Sequence, residues 1–117
     1  MDDDKNIREL IRAAFAGSTF EVVGEATNGI EAIEVVLDEE PDVVLMDIEM
    51  PLMNGIEATR HLHVRSPGIS IFGFTGSTGA DRDEMVRAGA IAVLEKGSLN
   101  TVIDALEGWA VEQPEDG

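Results

Sequence analysis

The sequence contains no cysteine, which excludes a disulfide framework, a thiolate metal site and a cysteine nucleophile. Basic residues are scarce: Lys and Arg number 8 against 24 Asp and Glu, for a formal charge of −16 at pH 7. So acidic a chain repels the phosphate backbone of nucleic acid and anionic lipid, so neither direct nucleic-acid binding nor membrane binding is expected. No apolar run has the length needed to cross a bilayer. The start, Met1-Asp2-Asp3-Asp4-Lys5, lacks the apolar stretch of a signal peptide. These absences point to a cytoplasmic domain. There is no internal repeat and no low-complexity linker. The carboxylate surplus itself admits two readings, an acidic surface suited to a high-salt cytoplasm or an ordinary acidic domain. What the chain does have is 117 residues, 44% of them hydrophobic, enough for one domain with its own core.

The apolar positions alternate between two periods. Ile7, Leu10, Ile11, Ala14 and Phe15 recur three and four residues apart, the spacing of one helical face, with Asp4 or Asn6 available to cap its start and Gly17 its end. Phe20 to Ala26 is short and β-branched and predicts a strand. Ile30, Ile33, Val36 and Leu37 form a second helical stripe. The unbroken run Val43 to Met46 predicts a strand covered on both faces. A helix from about Gly55 to His63, a strand over Ile69 to Phe74, a helix over Asp81 to Ala88 and a strand over Ala90 to Leu94 follow. A last helix, capped by Ser98, turns Leu99, Val102, Ile103, Leu106 and Trp109 inward. Residues 1–111 read as the domain and 112–117 as an acidic flexible tail. Strand–helix alternation with short connections argues for a doubly wound parallel sheet with helices on both faces. Such sheets place their sites at the carboxyl ends of the strands.

Those ends carry polar residues. Asp47 follows four apolar residues, Thr75 ends the next strand, and Lys96 follows the last; Asp2 and Asp3 precede the first helix. A carboxylate, a hydroxyl and an ammonium on one rim suit phosphoryl transfer. The carboxylate can act as nucleophile and carry an acyl phosphate. Clustered carboxylates repel one another, and a divalent cation removes that repulsion. An all-oxygen set without histidine or thiolate favours Mg²⁺ or Mn²⁺. Taken singly each residue has a plainer role: Asp47 a turn or helix cap, Thr75 a strand-end hydroxyl, Lys96 a solvated charge. His61 and His63 lie two apart on a helix and share no face. Met50 and Met53 read as packing residues.

The run from Asp42 to Gly55, DVVLMDIEMPLMNG, resembles the phosphoacceptor segment of response-regulator receiver domains. The likeness continues through Phe74-Thr75-Gly76, Arg87-Ala88-Gly89-Ala90 and Val93-Leu94-Glu95-Lys96. Phe20 to Ile33 is most similar to receivers of LuxR/NarL-type regulators. The resemblance implies a flavodoxin-like, CheY-like fold and phosphotransfer from a sensor histidine kinase or phosphotransfer protein, relayed to an output protein or domain. It implies Asp47 as phosphoacceptor, Asp3 as direct metal ligand and Asp2 as its partner, usually through water. The Glu49 backbone carbonyl completes the metal set, Thr75 and Lys96 stabilise the phosphoryl group and switch, and Pro51 and Gly55 shape the loop. On this reading the chain catalyses its own phosphorylation and dephosphorylation and is not a turnover enzyme.

Four departures from the family pattern bear on this. Val93 replaces the usual aromatic residue, Gly97 replaces the usual proline after the lysine, and the interval from Thr75 to Lys96 is short. Only Met1 precedes Asp2, so the family's buried first strand is missing from this sequence. Its neighbours would stand about 10 Å apart and must close up, stay unpaired or borrow a strand. Loss of that strand is expected to lower stability and to leave Asp2 and Asp3 unanchored, weakening metal binding. Two other functions compete: a degenerate receiver that binds partners without phosphorylation, and a small aspartate-nucleophile phosphohydrolase, against which Glu49 stands where a second aspartate is needed. The kinase, signal, partner and oligomeric state are not specified by the sequence.

Overall fold

The computed structural model describes residues 1–76, 80–97 and 99–113. Five helices, α1 (Lys5–Phe15), α2 (Gly29–Glu39), α3 (Gly55–Arg65), α4 (Ala80–Ala88) and α5 (Leu99–Glu112), alternate with β1 (Val43–Asp47), β2 (Ser70–Thr75) and β3 (Ala92–Glu95). The strands form one parallel sheet in the order β1-β2-β3, with Asp47 opposite Phe74 and Thr75 opposite Glu95. That register brings the carboxyl ends of all three strands to one rim.

The first three helices start where a short polar side chain can accept from an otherwise unpaired N–H. Asp4 accepts from Asn6 N–H, Asn28 from Glu31 N–H and Asn54 from Glu57 N–H. Glu31 returns a bond by accepting from Thr27 N–H at 3.0 Å, close to a capping box. Beyond α1, Gly17 takes φ +82°, a left-handed turn that glycine adopts without a Cβ clash. Ser98, expected to cap α5, lies outside the described residues, as does the tail beyond residue 113.

The core has two parts, one on each face of the sheet. Ala32 and Val36 of α2, Ala58 and Leu62 of α3 and Met85 of α4 pack with Val44, Met46 and Ile71. On the other face Phe15 of α1 and Val102 and Leu106 of α5 pack on Phe72 and Phe74, with Trp109 edge-on to Phe72. Helices therefore cover both faces, as the unbroken apolar strands require. The stripe expected on α2 is rotated: Gly29, Ala32 and Val36 are buried, and Ile30 is exposed. The cause is close approach at Gly29, whose N–H donates to Met53 O at 2.8 Å and where a Cβ would strike the same carbonyl.

Phe20 to Ala26 was expected to be a strand and is not one; residues 20–26 form no ladder. A strand is defined by its neighbour, and the neighbour here is only two residues long. Met1 N donates to Leu45 O at 3.0 Å, and Asp47 N–H donates to Met1 O at 2.9 Å. On the other side Asp2 N–H donates to Ala26 O at 3.0 Å. Below Met1 the segment 20–25 and β1 remain apart, with a cavity between them.

Candidate functional site

The rim cavity, about 900 Å³, is lined by Asp2, Asp3, Asp47, Thr75 and Lys96, together with the loop after β1. Asp47 is the last residue of β1 and is buried. Its loop is held by Gly55 N–H donating to Ile48 O at 2.8 Å. A Cβ at Gly55 would land on the Asp47 carbonyl, so only glycine lets α3 start this close to the end of β1. Leu52, at the crest of the loop, has φ +67°, a conformation uncommon for a non-glycine residue, and its side chain is exposed. Glu49 and Pro51 line the same cavity.

Asp2 was expected to be unanchored and is not. It is 1% exposed, its N–H is bonded to Ala26 O, its carbonyl accepts from the Arg8 guanidinium at 2.9 Å, and its Oδ1 accepts from Asp4 N–H. Pairing at Met1 and Asp2, with the Arg8 guanidinium on the Asp2 carbonyl, holds this aspartate at the rim. Arg8 reaches Glu25 as well, at 3.3 Å, and Arg12 pairs with the same carboxylate. Sequence reading missed Arg8. Asp3 is exposed.

The carboxylates of Asp2, Asp3 and Asp47 offer oxygens that all lie within 4.8 Å of one another. Lys96 Nζ stands 2.7 Å from Asp2 Oδ2 and 3.2 Å from Asp47 Oδ1. It also lies 5.6 Å from the centre of the Phe74 ring. Burial first, and the Asp2 charge second, push the Asp47 carboxyl up to about 6, against the pull of Lys96 and of the Glu49 amide. Burial works against the Lys96 charge, but Asp2 and Asp47 outweigh it and hold the ammonium above its ordinary range. Asp2 Oδ2 is buried without an aligned hydrogen bond; the contact with Lys96 is one of charge. Three crowded carboxylates, two of them buried and one elevated in pKa, form a donor set that fits a hard divalent cation.

Thr75 is buried at the end of β2, and its carbonyl accepts from Lys96 N–H at 2.9 Å. The structure thus gathers Asp2, Asp3, Asp47, Thr75 and Lys96 round one cavity. Val93, in register with Gly73, is half-buried; a Cβ on Gly73 would lie 3.1 Å from both Val93 and Met85. The glycine makes room for the branched side chain. His61 and His63 are exposed and take no part.

The fold and this rim define a receiver, and comparison with known proteins agrees. Residues 1–107 match the response regulator receiver domain family, and the chain belongs to that family. It is 31% identical over 109 residues to the chemotaxis protein CheY of Listeria monocytogenes, covering 92% of each chain. It is 37% identical over 101 residues to a protein-glutamate methylesterase/protein-glutamine glutaminase of Halobacterium salinarum, covering 86% of this chain but 27% of that protein. The chain spans about a quarter of the length of such methylesterase relatives, and what it shares with them is the receiver portion. Among solved structures, the receiver domain of the putative response regulator NarL from Mycobacterium tuberculosis superposes with a TM-score of 0.88 at 28% identity, covering 96% of this chain and 93% of that one. The sheet is accordingly of the flavodoxin-like receiver type. No described helix is long and apolar enough to cross a membrane.

Proposed function

We propose that this receiver accepts a phosphoryl group on Asp47 and that loading changes its affinity for an output partner. The observation that carries the reading is the convergence of three carboxylates within 4.8 Å of one another and an ammonium 3.2 Å from the Asp47 oxygen. Asp2, Asp3 and Asp47, with the Glu49 carbonyl, would hold Mg²⁺ or Mn²⁺. When bound, the ion supplies positive charge that offsets the clustered carboxylates and the phosphoryl oxygens.

In the transfer, an ionised Asp47 oxygen attacks the phosphorus of a phosphohistidine on a sensor kinase or phosphotransfer protein. A P–O bond forms as the P–N bond breaks, and the electron pair returns to the imidazole, which takes a proton. Hydrolysis reverses the loading: water attacks the same phosphorus, and phosphate leaves with the Asp47 carboxylate restored. Lys96 neutralises a phosphoryl oxygen, because its ammonium is already fixed on the rim by two carboxylates. The Thr75 hydroxyl lies in the same cavity to donate to another. Pro51 and Gly55 fix the loop that carries Glu49. With Val93 in place of an aromatic ring, read-out does not run through a swinging aromatic at that position.

Incubation with acetyl phosphate and Mg²⁺ tests this. Intact-mass measurement should find one added phosphoryl group, lost on standing and absent in Asp47→Asn. An adduct that persists in Asp47→Asn, or none in the unaltered protein, overturns the assignment. Partner binding without an adduct would make the chain a phosphorylation-independent module.

A further inference from the structure

Asp2 and Asp3 are joined by one peptide unit, and that unit sets where both carboxylates start from. It is planar, so holding the Asp2 carbonyl also fixes the plane from which Asp3 departs. The carbonyl accepts from Arg8 Nη1 at 2.9 Å. Asp2 N–H donates to Ala26 O at 3.0 Å, and Asp2 Oδ1 accepts from Asp4 N–H at 3.0 Å. The residue is therefore tied at both ends, its N–H to the segment 20–26 and its carbonyl to α1.

Arg8 is itself held. Its N–H donates to Asp4 O at 3.1 Å, which seats it in the first turns of α1, and its side chain is only 17% exposed. Its Nε stands 3.3 Å from Glu25 Oε1, and Glu25 directly precedes the Ala26 that receives Asp2. Arg12, four residues on and so on the same helical face, donates through Nε to Glu25 Oε2 at 2.9 Å and engages the other carboxylate oxygen. The Arg8 guanidinium thus spans a backbone carbonyl and a carboxylate with two edges of one rigid plane, a geometry that a lysine ammonium does not reproduce. Glu25 also offsets the Arg8 charge, which by itself has the wrong sign to favour a cation nearby.

We infer, resting on the reading of the rim as a site for a divalent cation and a phosphoryl group, that Arg8 is a positioning residue for the metal. Through the Asp2 carbonyl it aims the Asp2 and Asp3 carboxylates at the Asp47 oxygen, within 4.8 Å of which both lie. Glu25 and Arg12 fix the orientation of Arg8. It touches neither the ion nor the phosphoryl group. Ligands ordered before binding spare the site the cost of ordering them, and Asp3, which is exposed, has the most freedom to lose.

Charge and position predict opposite signs for one substitution. Arg8→Met keeps an unbranched stem and removes both the charge and the donors. Loss of a mere neighbouring cation tightens divalent binding; loss of a positioning residue weakens it. The probe is Mn²⁺ alone, titrated into the metal-free 117-residue protein, with the free ion read from its paramagnetic resonance. Arg8→Met is expected to bind Mn²⁺ at least about tenfold more weakly than the unaltered protein. Arg8→Lys, which can satisfy one partner but not both, should fall between the two. Urea melts in EDTA separate this from general loosening. Ile71→Val, a core change at the end of β2 remote from Thr75, should lose stability and keep its Mn²⁺ affinity. Unchanged or tighter binding by Arg8→Met overturns the positioning role and leaves the rim site standing, as does equal weakening in Ile71→Val. Where Arg8→Met does not fold, Arg8→Lys decides alone, and an affinity equal to that of the unaltered protein overturns the role. An unaltered protein that shows no saturable Mn²⁺ binding overturns the cation reading of the rim, and this inference with it.

Discussion

At Asp47 burial and the Asp2 charge push the carboxyl up to about 6, and ionising it in the folded protein costs more than in the unfolded chain. The unfolded state therefore releases this proton first, near the ordinary aspartate value of 3.8. Between about pH 4 and 6 the folded state binds more protons, so this group's contribution to stability falls as pH rises through that window. At about 1.4 kcal/mol per pH unit, the loss is on the order of 3 kcal/mol once both states are ionised. Asp47→Asn removes the charge and should be more stable than the parent in EDTA at pH 7.5 by roughly that amount, the gap closing toward pH 4. Urea melts of the two proteins across pH measure it, and a gap that stays flat would show that Asp47 ionises without strain. Glu25 behaves oppositely, since Arg12 holds its carboxyl below the usual range, which is why the difference between the two proteins is the informative quantity. At this scale much of the candidate site was legible: Asp47 and Thr75 sit directly after apolar runs, and Lys96 one residue beyond another. Arg8 was not, because its role is to hold a backbone carbonyl of Asp2, and nothing in a helical pattern distinguishes that arginine from a solvated one.

Among the elements, the segment 20–25 and β2 are both apolar and β-branched in sequence, yet only β2 is paired on both sides. Backbone amides of residues 21–24 should therefore exchange with solvent deuterium far faster than those of Ile71 to Phe74, by orders of magnitude. Exchange followed by mass spectrometry checks this, and equal protection would mean that residues 20–25 are paired in solution. The contrast explains where sequence reading stops. Periodicity reports which faces are covered, and on that basis five helices and three strands were legible to within a residue or two. It does not report whether a neighbouring strand exists, so Phe20 to Ala26 carried a strand pattern without a ladder. The rotation of α2 was hidden for a related reason: it is set by the approach of Gly29 to Met53, a contact between distant segments.

For the whole molecule, the radius of gyration is 13.1 Å, close to the roughly 13 Å expected of a compact chain of this length, so the cavity beside β1 does not open the domain. A charge of −16 on so small a body favours expansion through self-repulsion. Adding salt from about 0.01 M to about 1 M shortens the screening length from about 30 to about 3 Å, and the melting temperature should rise across that range. A fall would show that the ion pairs of Arg8, Arg12 and Lys96 outweigh the general repulsion. Finally, Met1 borders the cavity beside β1 and its neighbour Asp2 borders the rim, while Arg8 holds the Asp2 carbonyl and pairs with Glu25 of the segment 20–26 at once. One peptide unit is thus the party wall of two rooms. Thermodynamic reciprocity requires that strain placed on one side be felt equally on the other, so whatever loosens the hold of Arg8 on residues 20–26 is expected to loosen the Asp2 carboxylate at the rim.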